Sequence, residues 1–117
     1  MYDAKNAKEE PTLPSDEIFT GAIIDIKDGQ VKEFVTSDKW QGDKEGKAIQ
    51  ITIEVMHKEQ SHKFEQVFTY TEEEGKTIYR PKSNLGKYKK KYEKLPEVGD
   101  QIKCLTNSEG FLKLKLE

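Results

Sequence analysis

The sequence predicts an all-β domain carrying one helix, on three observations. Only Ser83 to Leu95 (SNLGKYKKKYEKL) has helical periodicity: Leu85, Tyr88, Tyr92 and Leu95 recur three and four residues apart and gather on one face. Five other stretches alternate apolar and polar residues with the period of a strand. Between them stand turn-forming clusters such as Asp28-Gly29, KEQS and NSEG. The helix has recognisable limits. Ser83 or Asn84 can cap its first turn by accepting a hydrogen bond from an unpaired backbone N–H. Lys87, Lys89, Lys90, Lys91 and Lys94 cover the rest of its surface and suit its negative C-terminal end, and Pro96 stops propagation.

In chain order, residues 1–16 are polar, contain Pro11 and Pro14 and show no periodicity, which predicts a flexible N-terminal arm before a domain over 17–117. In EIFTGAIIDIK, Ile18, Ala22, Ile24 and Ile26 alternate with Phe19, Gly21, Ile23 and Asp25, a first strand covered on much of both faces. Gly21 marks a bulge or a close backbone approach. A long connection, DGQVKEFVTSDKWQGDKEGKA, follows. The Asp28-Gly29 turn signals a short strand extension over Val31–Val35, and the remainder reads as loop. AIQITIEVMH alternates cleanly, with Ile49, Ile51, Ile53 and Val55 facing in. HKFEQVFTY is ambiguous: Phe64, Phe68 and Tyr70 share a side with Gln66, and Val67 lies opposite. TEEEGKTIYRPK links to the helix through a turn at Gly75. The final strands, QIKCLT and FLKLKLE, flank NSEG, with Leu112, Leu114 and Leu116 opposed to Phe111, Lys113 and Lys115.

The order strand, long loop, strand, hairpin, strand, helix, strand, hairpin, strand resembles the OB-fold, a five-stranded, partly open Greek-key barrel closed at one end by a helix. The resemblance covers Glu17 to Glu117. The stretch RPKSNLGKYKKKYEKLPEVGDQIKC is similar to the helix-and-strand region of small single-stranded-DNA-binding proteins. A β-sandwich or an SH3-like barrel with an added helix fits the same order. The OB-fold resemblance implies a ligand face over the second and third strands, bounded by the first loop and the last hairpin, with the helix away from the groove. An acidic N-terminal arm departs from the bacterial members, whose acidic tail is C-terminal.

Composition fits a small domain with a large wet surface. At 117 residues and 36% charged, the chain can bury roughly two-thirds of its unfolded surface around one core. No apolar run is long enough to cross a bilayer and the N-terminus lacks the apolar stretch of a signal peptide, so the expectation is a cytoplasmic protein without membrane contact. The single cysteine, Cys104, excludes an internal disulfide and a cysteine-based zinc site. Net charge is −2, unevenly spread. Met1 to Ile78 holds 10 Lys against 17 acids, a net of −7, whereas Tyr79 to Glu117 holds 10 Lys or Arg against five acids, a net of +5. The asymmetry suits either solvated faces or an anion-binding C-terminal half.

No catalytic constellation accompanies this pattern, so neither enzyme activity nor a cofactor is expected. There is no phosphate-binding G-x-x-x-x-G-K-[ST] loop and no G-x-G-x-x-G opening a helix. His57 and His62, with Glu59, approach each other across a hairpin but lack a third fixed ligand, the usual condition of surface histidines rather than of a metal site. Single-strand binders join cationic grooves for phosphates to aromatic faces for bases. The residues of that type are Trp40, Tyr70, Tyr79, Arg80, Lys82, Phe111, Lys113 and Lys115. The expectation is a non-catalytic protein that binds single-stranded nucleic acid, DNA before RNA. The alternative is a protein-interaction or assembly module using the same face, with a protein partner or a second copy of the chain and Trp40 as anchor.

Overall fold

The computed structural model describes residues 2–7, 13–35 and 42–116. Among them are six strands and two helices: β1 (Ile18–Gln30), α1 (Val31–Phe34), β2 (Lys47–His57), β3 (Gln60–Glu73), β4 (Lys76–Ile78), α2 (Asn84–Tyr92), β5 (Gln101–Thr106) and β6 (Leu112–Leu114). The strands form one antiparallel sheet in the order β4-β3-β2-β1-β5-β6, curled into a half-barrel. β6, at one end of that order, comes back to touch β3 near the other without pairing to it.

The curl originates in β1. Its first half, Ile18 to Ala22, pairs with β5, and Ala22 to Gln30 pairs with β2. The register with β2 slips between Ile23 and Asp25, so Ile24 has no residue opposite. Such a bulge bends the strand and inverts its facing. This overturns the simple alternation: Gly21 and Ile23 face the core before the bulge and Ile26 after it, leaving Ile18 and Ile24 exposed at 59% and 39%. Gly21 is needed for closeness, because a Cβ there would lie 2.8 Å from Ile53 Cγ2 and 3.1 Å from Cys104 Sγ.

Two further expectations are corrected. β1 runs straight through Asp28-Gly29, pairing as far as Gln30 with Lys47. The expected strand over Val31–Val35 is instead a single helical turn, α1. Gln30 N donates to Glu33 Oε2 at 2.6 Å, closing the turn, and buried Val31 donates its N–H to Gly46 O at 2.9 Å. The strand count rises from five to six because Glu74 and Gly75 both adopt positive φ (52° and 76°), the geometry of a tight hairpin. Lys76–Ile78 then fold back onto Thr71–Glu73.

The core gathers Ile23, Ile51, Ile53, Val55, Phe68, Leu85, Tyr88, Ile102 and Cys104. Phe68 settles the facing of β3: it is fully buried, with Phe64 and Tyr70 partly buried on the same side. Burial in this core pushes the Cys104 thiol up to about 11. α2 closes the core with Leu85 and Tyr88, and Gly86, which the hydrophobic stripe does not reveal, is buried beside them. Ser83 is the cap, accepting from Gly86 N at 3.1 Å. The helix stops at Tyr92 because Glu93 takes a left-handed conformation (φ 61°) and donates its N–H to Lys89 O, before Pro96 is reached. Leu13 is buried at the end of the polar N-terminal stretch. Thr106 Oγ1 donates to Pro14 O at 2.7 Å and accepts from Glu17 N at 3.0 Å, tying that stretch to β5.

Asp100 locks helix to sheet. It accepts from Tyr88 Oη at 2.7 Å, Lys94 Nζ at 2.8 Å and Glu97 N at 3.0 Å. Desolvation would raise its pKa, but the hydrogen bonds from Lys94, Tyr88 and Glu97 outweigh it and hold the carboxyl below the usual range. Stabilisation from a lowered carboxyl is present above the unfolded value of about 3.9 and is lost as pH falls through the folded value. Asp100→Asn is therefore expected to cost about 2 kcal/mol near neutral pH, with the gap to the parent protein closing below about pH 4. Urea unfolding across pH reads this out, and a gap constant to the acid limit contradicts it.

Candidate functional site

Four of the residues nominated by the sequence, Tyr70, Tyr79, Arg80 and Lys82, line one groove of about 680 Å³. One wall is the 42–46 connection leading into β2. The other is the segment from Ile78 to Ser83 that carries the chain from β4 to α2, and the end of β3 lies between them. Val31, buried, contributes from α1.

Local sequence explains each wall. The Glu74-Gly75 hairpin returns the chain alongside β3, so Tyr79 and Arg80 follow directly from a strand paired with Thr71–Glu73. The turn Arg80-Pro81-Lys82-Ser83 is then closed onto the helix cap. Ser83 N donates to Arg80 O at 3.0 Å and Ser83 Oγ donates to the same oxygen at 2.6 Å. Buried Gly86 lies against this turn, and a Cβ there would come within 2.6 Å of Pro81 O and closer still to Arg80 O. On the opposite side, Asp43 accepts from Glu45 N at 2.9 Å through Oδ1 and from Gly46 N at 3.2 Å through its carbonyl, which shapes the 42–46 connection. The connection is held to α1 by Lys32 N donating to Lys44 O and by the Lys32–Glu45 ion pair at 3.0 Å.

The groove joins apolar and aromatic surface to a cationic rim. Tyr70 stands opposite Lys47 in the β2–β3 register and donates its hydroxyl to Asp28 Oδ1 at 2.7 Å. Burial first, then the bond to Asp28 and its charge, push this phenol up to about 12, so it stays neutral across physiological pH. Tyr79 is half-buried and Ile78 exposed. The charged lining residues are Lys47, Arg80 and Lys82 against Asp43. Lys47 pairs with Glu72 at 3.2 Å, whereas among the described residues Arg80 and Lys82, both exposed, have no ion-pair partner. Such a rim attracts anions, and the tyrosines beside it offer ring surface to planar groups.

The other nominated residues lie elsewhere. Trp40 is outside the described residues. Phe111, 66% exposed, ends the last hairpin, with Asn107 Oδ1 accepting from its N–H at 3.0 Å. Lys113 is exposed on β6 opposite Leu105, and Lys115 follows it, its N–H donating to Lys103 O. None of these three lines the groove. Sequence reading missed Lys47, Ile78 and Ser83 as groove residues. The Lys47–Tyr70 register is a long-range pairing that no local pattern announces, and Ser83 is visible from sequence only as a cap.

His57 packs its ring edge-on against Phe19, centroids 5.5 Å apart. Among the described residues no group of three or more His, Cys, Asp or Glu side chains gathers to hold a metal ion, and no helix is long and apolar enough to cross a membrane. No family model matches the chain, and comparison with curated proteins and with solved structures likewise finds no match.

Proposed function

We propose that this chain is an OB-fold-like, non-catalytic protein that binds single-stranded nucleic acid, DNA in particular, in the groove between the 42–46 connection and the Ile78–Ser83 segment. The observation that carries the reading is the convergence of Tyr70, from β3, with Tyr79, Arg80 and Lys82, from the Ile78–Ser83 segment, on one cleft. Bases stack on the tyrosine faces while the cations neutralise phosphates. The pairing of β1 with both β2 and β5, with α2 inserted after the β3–β4 hairpin, supports the OB-like reading, in which β4 is an added strand.

Stacking and charge separate experimentally. Tyr79→Leu keeps an apolar side chain against the core and removes the π-face. It is expected to weaken binding of a labelled dT oligomer about tenfold, within the ~1–3 kcal/mol ascribed to one stacked base, while leaving the salt dependence unchanged. Anisotropy titrations at two salt concentrations test this. Unchanged affinity, or a loss that disappears with salt, contradicts a stacking role.

A second reading has its own observation. Ile18, directly opposite Leu105 in the β1–β5 register, is exposed, and so is Phe111 in the hairpin beyond β5. That apolar outer surface suits a protein-interaction module, whose binding depends little on salt.

A further inference from the structure

We infer that the outer corner of the sheet, where β1, β5 and β6 meet, docks a short acidic segment of a partner protein, its bulky apolar side chains on Ile18, Leu105 and Phe111 and its carboxylates on Lys103, Lys113 and Lys115. This rests on the second reading above, the protein-interaction surface, and is independent of the nucleic-acid groove.

Strand register puts these six side chains on one face. Ile18 stands opposite Leu105, and Leu105 opposite Lys113, a row across three strands. Two residues along, Thr20 stands opposite Lys103, and Lys115 continues the ladder by donating its N–H to Lys103 O. Two residues the other way, Asn107 donates its N–H to Phe111 O, which brings Phe111 into the next row. Opposite residues of an antiparallel pair share a face. The intervening row, Phe19, Cys104 and Leu114, is packed in the core, so the six residues look outward.

The chemistry of this face is divided. Ile18 and Phe111 are exposed, with Leu105 half-buried between them. Large apolar groups left in water at neighbouring positions mark a contact surface. Beside them, Lys103 Nζ donates to Thr20 Oγ1 at 2.9 Å, a neutral partner. Among the described residues Lys113 and Lys115 have no ion-pair partner. The acids stand at the other end: Asp16 donates its N–H to Asn107 O, and Glu109 lies in the turn before Phe111. This polarity draws the carboxylates of a ligand to the lysines and leaves its apolar anchor for Phe111, Ile18 and Leu105.

Size and chemistry select the occupant. The face spans about 10 Å across three strands and about 14 Å along them, well short of the ~800 Å² per partner of a stable globular interface. Such an area suits a linear segment rather than a second copy of the chain. Ile18 and Leu105 are aliphatic and offer bases no ring to stack on, unlike the tyrosines of the groove. The lysines add the preference for acid.

The test is a display selection of random peptides of about eight residues, long enough at ~3.4 Å each to cross the face, on the full parent chain. The best recovered peptide is then dye-labelled for anisotropy titrations. Recovered peptides are expected to combine Asp or Glu with at least one bulky apolar residue. Ile18→Ser with Phe111→Ser, after circular dichroism confirms the fold, is expected to weaken the labelled peptide about tenfold or more at every salt concentration. Lys113→Gln with Lys115→Gln is expected to weaken it about fivefold at low salt and to match the parent at high salt. Recovery of no shared composition, or full binding to the Ile18→Ser, Phe111→Ser variant, overturns the site and the protein-interaction reading with it. Neutral or basic peptides that need Ile18 and Phe111 overturn the acidic chemistry alone. Displacement of the peptide by a dT oligomer assigns the face to nucleic acid, and dissociation of a dimer by Ile18→Ser assigns it to a second copy; either overturns the inference.

Discussion

Arg80→Glu combined with Lys82→Glu is expected to weaken binding of a dT oligomer roughly a hundredfold at low salt, given about 1.5–3 kcal/mol for a charge-assisted hydrogen bond and some screening at an exposed rim. The salt slope is expected to become shallower by about 1.4. Both side chains are exposed at the groove and lack ion-pair partners among the described residues, so their reversal breaks little that holds the fold. Lys113→Glu with Lys115→Glu makes the same change of charge on and just beyond β6, outside the groove. That control is expected to cost no more than about threefold, from the long-range field alone. Equal losses in the two variants contradict a localised site.

Gly86→Ala is expected to lower stability by about 2–4 kcal/mol, and the sign is the informative part. In an exposed helix interior the same change adds about 1 kcal/mol of helix propensity. Here the new methyl meets the carbonyls of Arg80 and Pro81, backbone atoms of a turn already fixed by two hydrogen bonds from Ser83. Overpacking against backbone costs about 1–3 kcal/mol and sometimes more. The melting temperature is expected to fall by roughly 10 °C, together with affinity for single strands, because the displaced turn carries Arg80 and Lys82. A raised melting temperature shows that the helix does not sit on this turn.

Gly86 also marks where sequence reading succeeds and where it stops. The helix was legible because Leu85, Tyr88 and Tyr92 repeat at helical spacing and Ser83 caps it, features contained within one segment. β2 was legible because its two faces differ, with Ile51, Ile53 and Val55 buried. β1 misled because a bulge exchanges the faces of a strand in mid-course: Ile24 looks like core in a strict alternation and is exposed once the register slips. The 28–35 stretch misled because Asp28-Gly29 is a strong local turn signal that pairing with Ile49 and Ala48 overrides. At the site, Tyr70, Tyr79, Arg80 and Lys82 were legible as residue types beside a strand exit. Their company with Lys47 and Asp43 was not, since it depends on which strand end meets which loop. Phe111, Lys113 and Lys115 carry the same chemical signature, yet the hairpin places them away from the groove.

The most direct test of single-strand binding in this groove is the anisotropy of a dye-labelled dT oligomer of about 15 nucleotides titrated with the unmodified chain over a salt series. Binding by phosphate neutralisation gives saturable titrations whose log affinity falls linearly with log salt, at roughly 0.7 per phosphate contacted, and the Arg80→Glu, Lys82→Glu variant lies on a shallower line. Flat titrations at the lowest salt, or saturable binding with no salt slope, contradict it and favour the apolar surface around Ile18 and Phe111 as the working face.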